Sequence, residues 1–199
     1  MTSAIFSTGF APFNGRHANG SIDAARALGA MANVPAIEVP VEWGGPAAAI
    51  ALFCEQQRPA RIVAFGEGHP GVFQIETIAN NRRAVRADMT GALPACPVVD
   101  PTGPERLFGT ADAPLLQRRL REFPIRVSTN AGGYLCEEML YTLLQWQRRL
   151  PVPRSERPMV VFIHVPPLGS AIRLGGVART VDEPLLSHFG QAVYRALVG

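Results

Sequence analysis

The segment STNAGGYLCEEMLYTLLQWQRRL, Ser128 to Leu150, reads as a strand end, a turn of small residues and then a long helix with Cys136 at its start. A cysteine at that point has two chemical uses. Unpaired backbone N–H groups and the positive end of the helix dipole stabilise a thiolate, the nucleophilic form of the side chain. The same N–H groups can receive an oxyanion that forms at a carbonyl under attack. Against this stands the commonest state of a free cysteine, a buried structural residue. Glu137 and Glu138, directly after it, would also raise its pKa unless they point to solvent.

A base is available in VVFIHVPPL, where His164 ends an apolar run. In open α/β sheets, sites form beyond the carboxyl ends of strands, and His164 and the Asn130 to Cys136 turn both follow expected strands. A lone histidine at a strand end is more often structural, so the position gains meaning only in combination with the cysteine. His69 in GEGHPG is the next candidate, while His17 and His188 have weaker contexts.

The elements that must position these groups alternate along the chain. Short β-branched or aromatic runs at 4–8, 36–41, 61–65, 126–128 and 159–165 read as strands. Helical patterns occupy 21–32, 46–56, 112–122, 136–150 and 181–197. This order predicts an α/β fold, a single-domain open, mostly parallel twisted sheet with helices on both faces. Ser21 is expected to cap the first helix, Pro46 suits a first turn, and Pro151 ends the fourth helix. Residues 67–109 have weak periodicity and many Gly, Pro and Arg residues, so they read as loop-rich with short strands, the kind of region that carries function. No internal repeat appears, and 1–199 is expected to be one domain.

Composition narrows the chemistry. The chain has 199 residues and three cysteines, Cys54, Cys96 and Cys136, with no CxxC pair, which argues against a disulfide framework or structural zinc. It contains no lysine, which excludes a Schiff-base lysine, a pyridoxal-phosphate anchor and a Walker-type phosphate loop. Arginines cluster at 82, 83 and 86 and at 118, 119 and 121, but a net charge of +3 is small for a nucleic-acid surface, and no nucleic-acid partner is expected. No apolar run reaches a bilayer-spanning length and the opening residues lack signal-peptide features, so the expectation is a cytoplasmic protein without a membrane partner.

Four separated segments, in order, resemble the pyroglutamyl peptidase I (pyrrolidone-carboxylate peptidase) family. TGFAPFNGRHANGS is similar to that family's first strand and loop, and GEGHPGVFQIETIANNRRAVRADMTG resembles its loop containing a catalytic glutamate. NAGGYLCEEMLY and FIHVPPL match the cysteine and histidine motifs. The resemblance implies a Cys-His-Glu triad of Cys136, His164 and Glu76, with Arg86 near the reacting carbonyl. It also implies that Phe10, Phe13 and Tyr134 hold the flat pyrrolidone ring, with Leu135 as an apolar neighbour.

The implied activity is a cysteine peptidase that removes N-terminal pyroglutamate from peptides through an acyl-enzyme, without cofactor or metal. N-terminally pyroglutamylated peptides are the implied partners, and a homo-oligomer is permitted. The sequence departs from the family at Gly66 to Gly71, where Glu67 stands in place of an uncharged amide and one residue is missing before Glu76. A carboxylate facing the pocket there would compete for His164 or Arg86. Gly20 replaces the usual proline after Asn19, which is expected to loosen that turn. These changes leave open a cysteine hydrolase of another small amide or lactam, or a catalytically silent binding protein on the same fold.

Overall fold

The computed structural model describes residues 5–57 and 59–199. From the amino end they form β1 (Ile5–Phe10), α1 (Gly20–Ala32), β2 (Ile37–Val39), α2 (Gly45–Gln57), β3 (Arg61–Glu67), β4 (Phe73–Glu76), β5 (Ile78–Asn80) and β6 (Arg106–Phe108). Then follow α3 (Ala113–Arg119), β7 (Ile125–Ser128), α4 (Leu135–Arg149), a 3-10 turn at Arg154–Glu156, β8 (Met159–Val165), β9 (Ala171–Leu174), β10 (Val177–Thr180) and α5 (Glu183–Val198). The strand expected at 4–8 thus runs from Ile5, and Ala4 lies outside the described residues.

The six-stranded sheet has the order β2-β1-β3-β8-β4-β7. β2, β1, β3 and β8 are parallel, as the alternation of strands and helices predicts. β4 then pairs antiparallel with β8 and parallel with β7, so the last two strands run against the rest. A five-residue connection from β3, residues 68–72, cannot make a crossover, so β4 returns in the opposite direction.

Central strands β3 and β8 are near-continuous apolar runs because both faces are covered. Ile22, Leu28, Leu186 and Phe189 from α1 and α5 cover one face, meeting Val63, Phe65, Phe73, Ile75, Val161 and Ile163. Met139, Leu140 and Leu143 from α4, with Ile50 from α2, cover the other, meeting Ile62, Ala64, Val160 and Phe162. The period-2 alternation therefore sends Phe73 and Ile75 of β4 to the first face and Gln74 and Glu76 to the second.

Several local expectations change. Asn19, not Ser21, caps α1: its side chain accepts from the Ser21 backbone N–H, while Ser21 Oγ accepts from Phe10 N. Gly20 opens α1 against α5, where a Cβ would meet the Leu186 side chain. The stretch 67–109 is loop-rich with short strands, as expected, of which β4 joins the main sheet and β5 and β6 form a small pair. The β9-β10 hairpin, which pairs only with itself, was not foreseen between the last strand and the last helix. Among the described residues no helix is long and apolar enough to cross a membrane.

Candidate active site

α4 presents Cys136 in its first turn. The helix N-cap, Tyr134, is extended and supplies no side-chain hydrogen bond, which leaves the first-turn N–H groups uncapped. The turn before it needs left-handed backbone at Gly132 (φ 93°) and Gly133 (φ 75°), which explains its glycines. Gly66, at the end of β3, lets the helix start come down onto the sheet: a Cβ there would lie 2.7 Å from Cys136 Sγ. Gly68 gives the same clearance to His164, whose Cβ would be 2.7 Å from a Cβ at position 68.

His164, at the sixth position of β8, lies on the same sheet face as α4. Its Nδ1 is 2.8 Å from Glu76 Oε1, with the glutamate side chain fully buried. That contact leaves Nε2 on the side of the ring away from Glu76, and Cys136 lines the same cavity as the imidazole. Burial alone would depress the histidine's pKa. The negative charge of the Cys136 sulfur, its hydrogen bond and the Glu76 carboxylate outweigh burial and raise the value to about 10. Cys136 is partly exposed, whereas Cys54 is buried. His69 is exposed on the rim, so it is His164 that meets the cysteine.

The two acids after the cysteine do not point to solvent; both are fully buried. Glu137 accepts from the backbone N–H groups of Asn80 and Gly133 at 2.6 and 3.2 Å, and burial pushes its pKa up against those bonds. Glu138 accepts from Gly44 N at 2.9 Å and takes a two-pronged ion pair from Arg83 at 3.0 and 3.1 Å. One member of the first arginine cluster is therefore an internal counter-ion.

A cavity of about 260 Å³ opens beside Cys136 and His164. Phe10, Phe13, Arg86, Tyr134 and Leu135 all line it, so the five binding residues expected from the resemblance converge. The Arg86 guanidinium sits 4.4 Å from the Tyr134 ring centroid, and Tyr134 Oη donates to Ala87 O at 3.0 Å. Trp43 braces this corner, donating from Nε1 to Arg86 O at 2.9 Å and meeting the Tyr134 ring edge-on.

Glu67 also faces the cavity but competes for neither His164 nor Arg86. Arg16 holds it in a bidentate pair at 3.0 and 2.7 Å, and the same guanidinium stacks on Phe13 at 4.1 Å. Sequence reasoning missed Arg16, Val41 and Gln74. Gln74 had a usable signal, since a residue two before Glu76 in a strand must share its face.

A profile of the pyroglutamyl peptidase family matches residues 3–180. The pyrrolidone-carboxylate peptidase of Cupriavidus pinatubonensis is 31% identical over an alignment covering 97% of this chain and 92% of the relative. Pyroglutamyl-peptidase 1 of Mus musculus is 27% identical over 95% of this chain and 92% of its own. The crystal structure of Bacillus amyloliquefaciens pyroglutamyl peptidase I superposes with a TM-score of 0.79 at 22% identity, covering 98% of this chain and 94% of that one, a likeness of fold. With the profile spanning most of its length and relatives matching nearly all of it, the chain belongs to the pyroglutamyl peptidase family.

Proposed function

We propose that the protein hydrolyses the bond after an N-terminal pyroglutamyl residue, with Cys136 as nucleophile, His164 as acid and base, and Glu76 as the group that orients the imidazole. Its family membership makes it a cysteine-type omega peptidase. The observation that supports the residue roles is the meeting of Cys136 and His164 on the wall of one small aromatic cavity, with His164 Nδ1 held by Glu76 at 2.8 Å.

Pyroglutamate is a flat, neutral lactam without a free α-amine. Phe10, Phe13, Tyr134 and Leu135 offer it apolar and aromatic walls. Among the described residues Glu67 is the only acid lining the cavity, and its pairing with Arg16 leaves no uncommitted carboxylate among them to hold an α-ammonium. This favours a blocked amino terminus over a free one.

The Cys136 thiolate attacks the pyroglutamyl carbonyl carbon, and the carbonyl oxygen gathers charge near the α4 N–H groups and Arg86. As the C–N bond breaks, His164 gives its proton to the departing amine, leaving a thioester. Water then attacks the thioester, His164 takes its proton, and the sulfur leaves as thiolate. Glu76 holds the Nδ1 proton throughout and so fixes the tautomer.

The test is release of a chromophore from a pyroglutamyl amide, compared with the corresponding prolyl and glutamyl amides. Turnover of the pyroglutamyl compound alone is expected. Equal turnover of the prolyl amide would reassign the substrate, and no turnover of any would leave a silent binding protein.

A further inference from the structure

Gln74 is a polar side chain in the wall of the site. It is 3% exposed, it lines the cavity, and its Oε1 is buried with no hydrogen-bond partner among the described residues. A buried amide oxygen left unpaired is costly, and persists where something outside the free protein completes it.

The sheet order says what that would be. Across the sheet run Phe10 on β1, Glu67 and Gly66 at the end of β3 beneath Cys136, His164 on β8, and Gln74 on β4. Gln74 and His164 are direct partners in the antiparallel β4-β8 pair. Their side chains face the same cavity. With neighbouring strands about 4.8 Å apart, Gln74 sits one strand beyond His164, on the side away from the aromatic slot. Resting on the function proposed above, the ring lies toward β1 and the scissile bond over Cys136 and His164. The departing amine must then emerge toward β4.

We propose that Gln74 is a specificity-determining residue for the leaving group, engaging the peptide unit of the residue that follows pyroglutamate. A carboxamide suits this role because it both accepts and donates, matching the N–H and C=O of a peptide group. The occupant is therefore a peptide rather than a simple amide or arylamide. Glu76, two residues along the same face, holds His164 through its Oε1, and a carboxylate only accepts, whereas the Gln74 carboxamide can also donate.

Two substrates that form the same acyl-enzyme isolate the effect: a pyroglutamyl dipeptide amide, which carries a second peptide group, and a pyroglutamyl coumarylamide, which does not. Replacing Gln74 by leucine or by methionine keeps the volume and removes the hydrogen bonds. In both variants the ratio of kcat/KM for the dipeptide amide to that for the coumarylamide should fall about tenfold, the effect of one buried hydrogen bond lost from acylation. Thermal melting checks that both variants are folded, and two side chains guard against one that packs badly. An unchanged ratio in folded variants overturns the proposal, whether both activities persist or both drop together. If the unsubstituted protein turns over neither substrate, the function reading itself fails, an outcome recognisable before any variant is made.

Discussion

Breaking the Arg16–Glu67 pair should weaken substrate binding while sparing the chemical step. The pair ties the loop that carries Phe13 to the end of β3, and Arg16 stacks on the Phe13 ring while its other edge meets Glu67 in two hydrogen bonds. Exposed ion pairs contribute roughly 0.2–1 kcal/mol, and hydrogen bonds to charged groups about 1.5–3 kcal/mol. Here the Glu67 side chain is only 9% exposed but Arg16 is 36% exposed, so solvent screens one end. An intermediate value of about 1–1.5 kcal/mol follows, equivalent to a five- to tenfold change in an equilibrium.

If that energy holds Phe13 against the substrate ring, Glu67→Gln and Arg16→Met should each raise KM for a pyroglutamyl amide about five- to tenfold. The change in kcat should stay within about twofold. The double variant should be no worse than the poorer single one, because both remove the same interaction. Steady-state kinetics on the four proteins decide the matter. Multiplying effects in the double variant would refute a shared latch. A lower KM in Glu67→Gln would show instead that the carboxylate opposes substrate binding directly.

Other outcomes follow from the same geometry. Cys136→Ala should abolish hydrolysis in a folded protein, and a kcat above about a hundredth of the parent's would remove Cys136 as nucleophile. Glu76→Gln should lower kcat by roughly ten- to a hundredfold with KM nearly unchanged, whereas an unaltered kcat would take Glu76 out of the site. NMR titration should find His164 protonated far above the ordinary histidine value and titrating lower in Cys136→Ala, which lacks the sulfur charge that raises it to about 10; equal values would show the cysteine is not the cause. Because the folded value exceeds the unfolded 6.5, this proton's contribution to stability is full below pH 6.5 and is lost as pH rises toward 10. Glu138→Gln strands the Arg83 charge, costing about 3 kcal/mol and lowering Tm by roughly 6–12 °C in a melt; an unchanged Tm would mean the pair is not structural.

The parts of this molecule that were legible in its sequence are those governed by local rules. β8 was bounded at Met159 and Val165 because an apolar β-branched run ends at a proline pair. Cys136 at a helix start could be read because a glycine turn precedes an amphipathic run. What escaped depends on contacts between distant residues. β4 is only four residues, FQIE, and becomes a strand by pairing with β8 and β7 on either side. Its reversed direction follows from the short connection after β3 only once FQIE is known to be a strand. The partner of Glu67 lies 51 residues away on another loop, so no reading of the altered turn alone could discover that its charge was already matched. The Asn19 cap escaped through the competition of two good capping residues separated by one position, Asn19 and Ser21.

The paired acids after Cys136 show how a sequence feature that would oppose a thiolate is neutralised by the fold. An unscreened carboxylate about 6 Å from a thiolate would cost on the order of 3 kcal/mol at an effective dielectric constant near 20, enough to suppress the nucleophile. Glu138 avoids this by pairing with Arg83, so its charge reaches the sulfur as part of a dipole. Glu137 spends its oxygens on the N–H groups of Asn80 and Gly133. The same bonds join three pieces of chain: the segment at 80–86, the glycine turn and the start of α4, a union reinforced by the 2.6 Å bond from Ala84 N to Gly133 O. Arg86 lies two residues beyond Ala84 and rests on Tyr134, the helix cap. The acids therefore fix the distance between the arginine and the cysteine, converting a stretch with little regular structure into a rigid wall of the site.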